Sequence, residues 1–517
     1  MNSENQGTRE GVENDCAEKS RDANGPARPA FHFTPPTGWM NDPNGLVFYD
    51  GEYHLFYQHN PHGDIFGPMH WGHAVSRDLV NWTQLPTALH PDEHGQIYSG
   101  SVVVDWKNSS GLGTADGLPP LVAIYTYHHA DREKGGRGDH QTQALAFSND
   151  RGRTWTKFEG NPVLGNEKNQ ADFRDPKVFW HKATSKWIKA LAVGDHVGFF
   201  ASMDLKEWAF LSAFGEGLHT AGNVWECPDL FPLTAPDGGE KWVLIVSVNP
   251  GGPQGGSGTQ YFIGDFDGTE FTLDTEFSKL LERFGTMWLD WGGDNYAGVT
   301  WSDIPEADGR RLFIGWMSNW LYAQTKPSSG WRGAMTTPRE LSLARAGGAV
   351  LLAAKPVQEL ARQMPPRKSI IANKSDYSAS SAISFEPGEF TIAGRLHPHS
   401  SAVISIELRN RSGEWTKIGF NAGGRNFYCK HHVPGENELA KFKSSERRPM
   451  PRYADSSEFD LRFLIDRNSV ELFADGGVSV FTETFFPVAD YEEIRFLAEN
   501  TSSDEVEIWF SRFANMA

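Results

Sequence analysis

Short runs of hydrophobic residues, separated by glycine, proline and aspartate, follow one another along the chain from Phe31 onward. Residues 46–49 and 52–57 flank Asp50 and Gly51, which accept the positive φ angles of a tight hairpin turn. Comparable runs cover residues 121–127, 177–180, 187–193, 242–248, 261–266 and 311–316. We find no sustained helical period in this part of the sequence, so the pattern predicts an all-β fold.

A short motif recurs among these runs. It consists of Ser-x-Asp, a turn and a tryptophan, and it begins at Ser76, Ser148 and Ser202. Each copy follows one hydrophobic run and precedes another, which is typical of the blades of a β-propeller. Three unrelated hairpins with ordinary aspartate turns remain the alternative at this point.

The hydrophobic pattern changes after residue 350. Val357, Leu360, Ala361 and Met364 have helical spacing, with Pro356 at the first helical position and prolines 365 and 366 at the end. Alternating hydrophobic and polar residues follow at 404–408, 459–465, 478–480 and 506–510. This period of two predicts strands with one buried face, as in an antiparallel sandwich.

Four segments result from these patterns. Residues 1–30 are polar and predict a disordered tail, residues 31–350 a propeller, 351–366 a linker with a short helix, and 367–517 a β-sandwich. The tail has no hydrophobic stretch of the kind found in a signal peptide. We therefore expect a cytoplasmic protein, or a secreted one whose signal is not part of this sequence.

Composition narrows the class of protein. The 517 residues carry a net charge of −18, which argues against nucleic acid and anionic membranes as partners. Three cysteines are too few for a disulfide framework or a four-thiolate zinc site. The 18 tryptophans suit a carbohydrate site, because a flat indole can cover the C–H face of a sugar ring, although most tryptophans serve as core.

Three short segments combine carboxylates with turn residues, and each leads into a hydrophobic run. They are residues 39–45 (Trp-Met-Asn-Asp-Pro-Asn-Gly), 173–176 (Phe-Arg-Asp-Pro) and 225–229 (Trp-Glu-Cys-Pro-Asp). Asp42 and Asp175 directly precede proline, which predicts an extended backbone at both. The starts of the innermost strands line the channel of a propeller, so these carboxylates can converge there. Paired carboxylates, one ionised and one protonated, suit glycoside hydrolysis.

The combination of these blocks resembles glycoside hydrolase family 32, the invertase, inulinase and levanase family. The resemblance extends from Phe31 to the end of the chain, and includes residues 315–320, 338–341, 469–473 and 486–487. It is similar above all to the exo-inulinase and microbial invertase branch. The resemblance implies a five-bladed β-propeller followed by a C-terminal β-sandwich. It also implies hydrolysis of terminal β-D-fructofuranosyl residues with retention of configuration.

The resemblance also assigns roles to residues. Asp42 would be the nucleophile, Glu226 the general acid and then base, and Asp175 the stabiliser of the transition state, with Arg174 beside it. A retaining mechanism requires the carboxyl groups of Asp42 and Glu226 to lie about 5–5.5 Å apart. The residues expected to bind sugar are Asn41, Gln58, Trp71, Ser99, Arg174, Asp294 and Trp320.

Two other functions use the same scaffold. A fructosyltransferase would pass the fructosyl unit to a second sugar, and a catalytically inactive propeller would only bind carbohydrate. The intact block around Asp42 favours hydrolysis, and the presence of all three carboxylates argues against an inactive protein. Preference among sucrose, inulin and levan, and assembly into a homo-oligomer, stay open.

We expect no metal and no cofactor. His54, His59, His62, His70 and His73 lack the spacing of a known zinc motif. Residues 265–268 (Asp-Phe-Asp-Gly) resemble the start of a calcium loop, but the glycine comes too early and no glutamate closes the loop.

Overall fold

The structure is a computed structural model that describes residues 28–115, 117–218, 223–365, 368–369, 381–432, 447–501 and 505–512. Residues 1–27 of the predicted tail lie outside the described residues. Residues 28–30 are held in place. Arg28 donates to the carbonyl of Pro35 at 2.8 Å and lies over the Trp331 ring, and the Ala30 N–H donates to Asp466 at 2.7 Å.

The N-terminal part consists of five small antiparallel sheets. The first contains β1 (Gly38–Tyr49), β2 (Glu52–Asn60), β3 (His70–Ser76) and β4 (Trp82–Leu89). The second contains β5 (Gln96–Val104), β6 (Leu121–His128), β7 (Gln141–Ser148) and β8 (Thr156–Lys157). The third contains β9 (Phe173–His181), β10 (Lys186–Val193), β11 (His196–Ser202) and β12 (Ala209–Phe214). The fourth contains β13 (Val224–Thr234), β14 (Glu240–Asn249), β15 (Gly258–Phe266) and β16 (Phe271–Leu273). The fifth contains β17 (Tyr296–Thr300), β18 (Arg311–Trp316), β20 (Arg339–Ala346) and β21 (Ala349–Pro356).

The first strands of the five sheets contact one another in cyclic order and close a ring. A two-residue strand, β19 (Trp331–Arg332), lies between β18 and β20 in the chain but joins the first sheet, where it pairs in parallel with β1, with Gly38 opposite Trp331. The first strand of the first sheet, β1, and the second strand of the fourth sheet, β14, are almost wholly buried, as expected for strands packed between neighbouring sheets. The five-bladed β-propeller implied by the sequence is therefore confirmed.

The repeated motif marks equivalent turns in the first three blades. Ser76, Ser148 and Ser202 end the third strand of each blade, and each hydroxyl donates to the aspartate two residues later. Those aspartates then accept backbone N–H groups of the turn, for example Asn81 N to Asp78 at 2.7 Å. The turn satisfies backbone donors between the third and fourth strands, which explains why the same residues recur.

The helices differ from the prediction. They are α1 (Ala130–Lys134), α2 (Thr275–Phe284) and α3 (Gln358–Arg362), with 3-10 turns at Gly138–His140 and Asp475–Gly477. The expectation that the propeller region lacks a helical period was wrong, because Phe277, Leu280, Leu281 and Phe284 place one apolar stripe on α2. Among the residues described, no helix is long and apolar enough to cross a bilayer.

The connection between the domains is shorter than expected. Pro356 ends β21 instead of starting the helix, and Val357 is the N-cap of α3. Strand β21 thus crosses the predicted boundary at residue 350. Its pairing with β20 over the whole of its length keeps these residues in the fifth blade.

Two six-stranded sheets follow, and they confirm the predicted β-sandwich. One sheet has the order β22 (Lys368–Ser369), β33 (Glu505–Arg512), β24 (Gly388–Arg395), β29 (Glu458–Asp466), β30 (Ser469–Ala474) and β31 (Ser479–Thr484). The other has the order β23 (Ser381–Ser384), β32 (Glu493–Glu499), β25 (Val403–Arg409), β26 (Trp415–Asn421), β27 (Asn426–His432) and β28 (Met450–Pro451). Every pairing within them is antiparallel.

Buried charges join the two domains. His32 lies between Asp466 and Glu471 of the sandwich, with 2.8 Å from each ring nitrogen to a carboxylate oxygen. Arg339 of the propeller contacts Glu471 at 2.5 Å and Asp290 at 2.9 Å. Burial alone would lower the pKa of His32, but the two carboxylates raise it to about 9. The imidazole is therefore a cation at neutral pH.

The ion pairs of His32 with Asp466 and Glu471 predict that the stability of the fold depends on pH. The pKa of His32 is higher in the folded chain than its unfolded value of about 6.5. The contribution of these ion pairs to the free energy of unfolding is therefore full below pH 6.5 and is lost as pH rises through 9. His32→Gln should lower the Tm by several degrees at pH 6–7, and the gap from the parent should narrow above pH 9. Thermal unfolding from pH 6 to pH 10 measures this. His94→Gln, at an exposed histidine, is the control, and a constant gap across the range would contradict a protonated His32.

Candidate active site

The same irregularity occurs in all five inner strands. Each of β1, β5, β9, β13 and β17 has an additional residue relative to its second strand near the start, and β1 has two such shifts. A bulge of this kind bends the strand and turns side chains away from the regular alternation. The bulges lie beside Asp42, Ser99, Asp175, Glu226 and Tyr296, so they direct side chains from five different blades toward one end of the ring.

Non-glycine residues at three of the bulges have a left-handed backbone, namely Asp175, Cys227 and Ala297, the last with φ of 53°. Asp175 has φ of 64° and Cys227 has φ of 46°, and each precedes a proline. The expectation that proline would hold Asp175 in an extended conformation was therefore wrong. Left-handed φ at a non-glycine residue costs roughly 1–3 kcal/mol and persists where surrounding contacts enforce it. Asp175 and Cys227 provide such a contact for each other, because the Cys227 N–H donates a hydrogen bond to the Asp175 carboxylate at 3.1 Å.

Asp42 lies on β1, and each of its carboxylate oxygens accepts a hydrogen bond from a polar side chain. The Ser99 hydroxyl donates to Oδ2 at 2.6 Å, and the Asn41 amide donates to Oδ1 at 2.9 Å. Burial raises the pKa of Asp42, the bond from Ser99 opposes that rise, and the charge of Glu226 adds to it. The two donors therefore offset part of the cost of holding an ionised carboxylate in the cavity.

Cys227 connects two of the carboxylates. Its sulfur lies 3.6 Å from Asp42 Oδ2 and 3.6 Å from Asp175 Oδ2. Burial raises the pKa of the Cys227 thiol, and the neighbouring carboxylates raise it further. The thiol is thus protonated and bridges carboxylates from two different blades.

Glu226 is held by a cation and a phenol. Arg174 donates from Nη2 to Oε1 at 3.0 Å, and the Tyr296 hydroxyl donates to Oε2. Arg174 also pairs with Asp172 and lies 3.9 Å from Asp175. Burial alone would lower the pKa of Arg174, but the surrounding carboxylates raise it well above the ordinary value. Arg174 therefore stays charged among three acidic groups.

Asp175 is the most deeply placed of the three predicted catalytic carboxylates. It is 5% exposed, and the Thr126 hydroxyl accepts its backbone N–H at 3.1 Å. Burial raises the pKa of Asp175 to about 7; the charge of Arg174 opposes this rise, and the charges of Glu226 and Asp42 add to it. The group thus titrates near neutral pH.

These side chains surround a cavity of about 490 Å³. It is lined by Asn41, Asp42, Gln58, Phe66, Tyr98, Ser99, His128, Glu133, Gly136, Arg137, Gly138, His140, Gln141, Ala171, Asp172, Arg174, Asp175, Glu226 and Trp320. Carboxylates and amides form its inner end. Trp320 and Phe66, with ring centroids 5.5 Å apart, give one side an aromatic surface. A cavity with a few polar groups beside an aromatic face fits one sugar ring.

Two predicted sugar-binding residues lie elsewhere. Trp71 is fully buried and does not line the cavity; its indole donates to the backbone carbonyl of Tyr98, a lining residue, at 3.0 Å. Asp294 is also fully buried, and it accepts the backbone N–H of Thr484 in the sandwich at 2.8 Å. Both were assigned to the site by motif position. The structure places Trp71 in the core and Asp294 at the domain interface.

Other residues at the site carry no motif in the sequence. Glu133 and Arg137 come from the connection between β6 and β7, where a run of charged residues was the available signal, and His128 is the last residue of β6. Asp172 and Tyr296 contact Arg174 and Glu226 and carried no separate motif. Their positions depend on strand register and loop geometry, which a local pattern does not encode.

The histidines of the first blade have structural partners. His54 Nδ1 lies 3.0 Å from His73 Nε2, and His59 Nδ1 lies 2.8 Å from the Trp39 carbonyl. Asp267 accepts the N–H groups of Thr269 and Glu270, so residues 265–268 cover the end of β15 and the start of the hairpin turn that leads to β16. Within the described part of the chain, no group of three or more potential ligands could hold a metal ion.

Comparison with known proteins agrees with this geometry. Residues 32–355 match the family model "Glycosyl hydrolases family 32 N-terminal domain", and residues 358–510 match "Glycosyl hydrolases family 32 C terminal". Propeller, sandwich and clustered carboxylates define a glycoside hydrolase of the β-fructofuranosidase type. The chain belongs to glycosyl hydrolase family 32.

Three similar proteins illustrate the relationship. A levanase from Bacillus subtilis (strain 168) is 43% identical over 479 residues, which cover 92% of this chain and 68% of the levanase. The crystal structure of an exo-inulinase from Aspergillus awamori is 31% identical with a TM-score of 0.83, and covers 96% of this chain and 100% of that one. A β-fructofuranosidase from Schwanniomyces occidentalis, complexed with fructosyl-erythritol, is 31% identical with a TM-score of 0.82, and covers 96% and 99%.

The position of Asp294 leads to a prediction. Asp294→Asn should lower the Tm by several degrees, because it weakens the bonds to Thr484, while kcat and KM on sucrose stay within about threefold. Thermal unfolding and steady-state kinetics measure both effects. Asp265→Asn, whose side chain is 63% exposed, is the control. A tenfold fall in kcat/KM at an unchanged Tm would instead place Asp294 in the sugar site.

Proposed function

We propose that this chain is an exo-acting, retaining β-fructofuranosidase that hydrolyses terminal non-reducing β-D-fructofuranosyl residues of sucrose and fructans. The similar proteins named levanase, exo-inulinase and β-fructofuranosidase support this substrate class. The observation that carries the proposal is the arrangement of Asp42, Asp175 and Glu226 around one cavity, where the Cys227 thiol bridges Asp42 and Asp175. A carboxylate pair facing one cavity suits double displacement at an anomeric carbon.

Asp42 is the proposed nucleophile. Its carboxylate attacks the anomeric carbon of the fructosyl unit and forms a covalent ester as the glycosidic bond breaks. Ser99 and Asn41 each donate to one of its oxygens, and these bonds fix the carboxylate plane relative to the cavity. The attacking group is therefore oriented before substrate arrives, which lowers the entropic cost of the reaction.

Glu226 is the proposed acid and base. It gives its proton to the leaving oxygen in the first step, and it takes a proton from water in the second. The first step removes the negative charge of Asp42 by esterification while Glu226 becomes ionised, so the total charge of the pair stays the same. Arg174 and Tyr296 both donate to Glu226, and these donors stabilise the ionised form that the second step requires.

Asp175 is the proposed stabiliser of the transition state. Its oxygen Oδ2 is held by the Cys227 N–H and thiol, which fixes the carboxyl group at the inner end of the cavity. From there it accepts hydrogen bonds from fructose hydroxyls as positive charge develops on the ring. Gln58, anchored by Asn44 at 2.8 Å, and the Trp320 ring supply polar and apolar contacts to the same sugar.

Product analysis tests exo-hydrolysis. Incubation with inulin and levan should release free fructose as the first and dominant product, because the inner end of the cavity holds one terminal unit. Sucrose should yield fructose and glucose in equal amounts. Short fructan oligomers appearing first would contradict exo-action, and longer oligosaccharides formed at the expense of free fructose would favour the transferase.

A Glu226→Ala variant separates the two catalytic steps. It should lose at least about a thousandfold in kcat/KM on sucrose, whose leaving group needs a proton, and much less on an aryl fructoside with an activated leaving group. The fructosyl ester on Asp42 should then accumulate, and azide should restore turnover because it needs no base. The product should be fructosyl azide of retained configuration, as identified by NMR.

Asp42→Asn is the matched control. It should be inactive on sucrose and on the aryl fructoside alike, and azide should not rescue it, since no ester can form. Both variants should keep the Tm of the parent within a few degrees. Inverted fructosyl azide, or no rescue of a folded Glu226→Ala variant, would overturn the assignment of Glu226.

A further inference from the structure

One wall of the cavity is made by the connection between β6 and β7. This segment, residues 129–140, contains α1 and is closed by the His129 N–H donating to the His140 carbonyl at 2.7 Å. The Asn166 amide donates to the Gly138 carbonyl at 3.0 Å and so ties the segment to the next blade. A side chain at Gly138 would collide with the Asn169 carbonyl, which shows how closely the two loops pack. The wall is therefore fixed in place beside the catalytic groups.

A chain of hydrogen bonds orients Glu133 on this wall. The Phe173 N–H donates to Gln141 Oε1 at 2.8 Å, and Gln141 Nε2 lies 3.4 Å from His128 Nδ1. With Nδ1 as acceptor, His128 donates from Nε2 to Glu133 Oε2, 3.2 Å away. The chain starts on the backbone of β9 next to Arg174, so the Glu133 carboxylate is positioned from the catalytic end of the cavity.

Charge distinguishes Glu133 from its neighbour Arg137. Arg137 pairs with Asp139 through two hydrogen bonds, which neutralise it. Burial lowers the pKa of His128 to about 4, even though the charge of Glu133 opposes this. His128 is therefore neutral between pH 6 and 8, so the Glu133 carboxylate is held by an uncharged donor. Its side chain is 57% exposed, toward the cavity that it lines.

The wall lines the same cavity as Glu226, the proposed acid. The fructosyl ring must contact Asp42, while Glu226 must reach the oxygen on the far side of the scissile bond. Arg174 joins Glu226 to Asp172, and Asp172 lines the cavity together with residues 136–138 of the wall. A sugar attached to the leaving oxygen therefore extends from Glu226 toward this wall.

We propose that Glu133 binds hydroxyl groups of the leaving sugar and so sets the preference of the enzyme for its leaving group. This inference rests on the proposed function. A carboxylate only accepts hydrogen bonds, so its ligand must be a donor, and a neutral sugar with vicinal hydroxyls meets that need. His128 and Gln141 act as positioning residues, because they hold Glu133 and do not contact the reacting atoms in this arrangement.

Kinetics of Glu133→Gln with three substrates test the proposal. Sucrose and a fructan trisaccharide have sugar leaving groups, whereas p-nitrophenyl β-D-fructofuranoside has none. The variant should raise KM about tenfold for the two sugars and change kcat less than about twofold, because a charge-assisted hydrogen bond is lost on binding. For the aryl fructoside, kcat and KM should stay at parental values.

Asp131→Asn is the matched control. Asp131 belongs to the same short helix, is exposed and does not line the cavity, so the same loss of charge there should leave all three substrates unaffected. Glu133→Asp keeps the charge on a shorter side chain and should give a smaller rise in KM for the sugars. The Tm of each variant is measured alongside, and Glu133 is exposed enough for the parental Tm to be kept.

The outcomes separate this inference from the proposed function. Unchanged KM for the two sugars, or an equal loss on all three substrates, would overturn the role of Glu133 while fructoside hydrolysis itself stands. A parent that hydrolyses none of the three would overturn the proposed function and this inference with it. A rise in KM confined to the sugar leaving groups supports it.

Discussion

Mutual repulsion among acidic side chains held away from water is the constraint on which the site depends. Asp42, Asp172, Asp175 and Glu226 line one cavity, and each negative charge there must be offset within a few ångströms. Arg174 offsets three of them, while Ser99 and Asn41 donate to the fourth, Asp42. These partners come from different blades. The additional residue in each inner strand brings them together, so the balance of charges in the cavity depends on the bulges.

The same constraint appears where the domains meet. His32 and Arg339 share the carboxylates of Glu471, Asp466 and Asp290, all of them buried. Removing one member of such a cluster leaves an unpaired charge in a dry environment, which is far more costly than the net gain from forming the pair. The cluster therefore makes the position of the sandwich specific. Asp294, bonded to Thr484, belongs to this interface.

Much of the fold was predictable because its signals are local. Hydrophobic runs with turn residues gave the strands, and the Ser-x-Asp motif gave the equivalent turns of three blades. The helix Thr275–Phe284 was missed although its apolar stripe is regular, since its surroundings were interpreted as strands only. The backbone of Asp175 was wrongly predicted because the preference imposed by proline is weaker than the bulge and the Cys227 contact that enforce φ of 64°.

The sequence by itself determined the three carboxylate blocks, the family that they resemble and the order of propeller and sandwich. Only the tertiary structure decided which neighbouring residues reach the cavity. Trp71 and Asp294 have the right chemistry for a sugar site but are buried elsewhere, whereas Glu133 has no motif and lines the cavity. The physical reason is that a strand motif fixes a side chain relative to its own backbone. Its surroundings depend on strand register and on loops from other blades, which are distant in sequence.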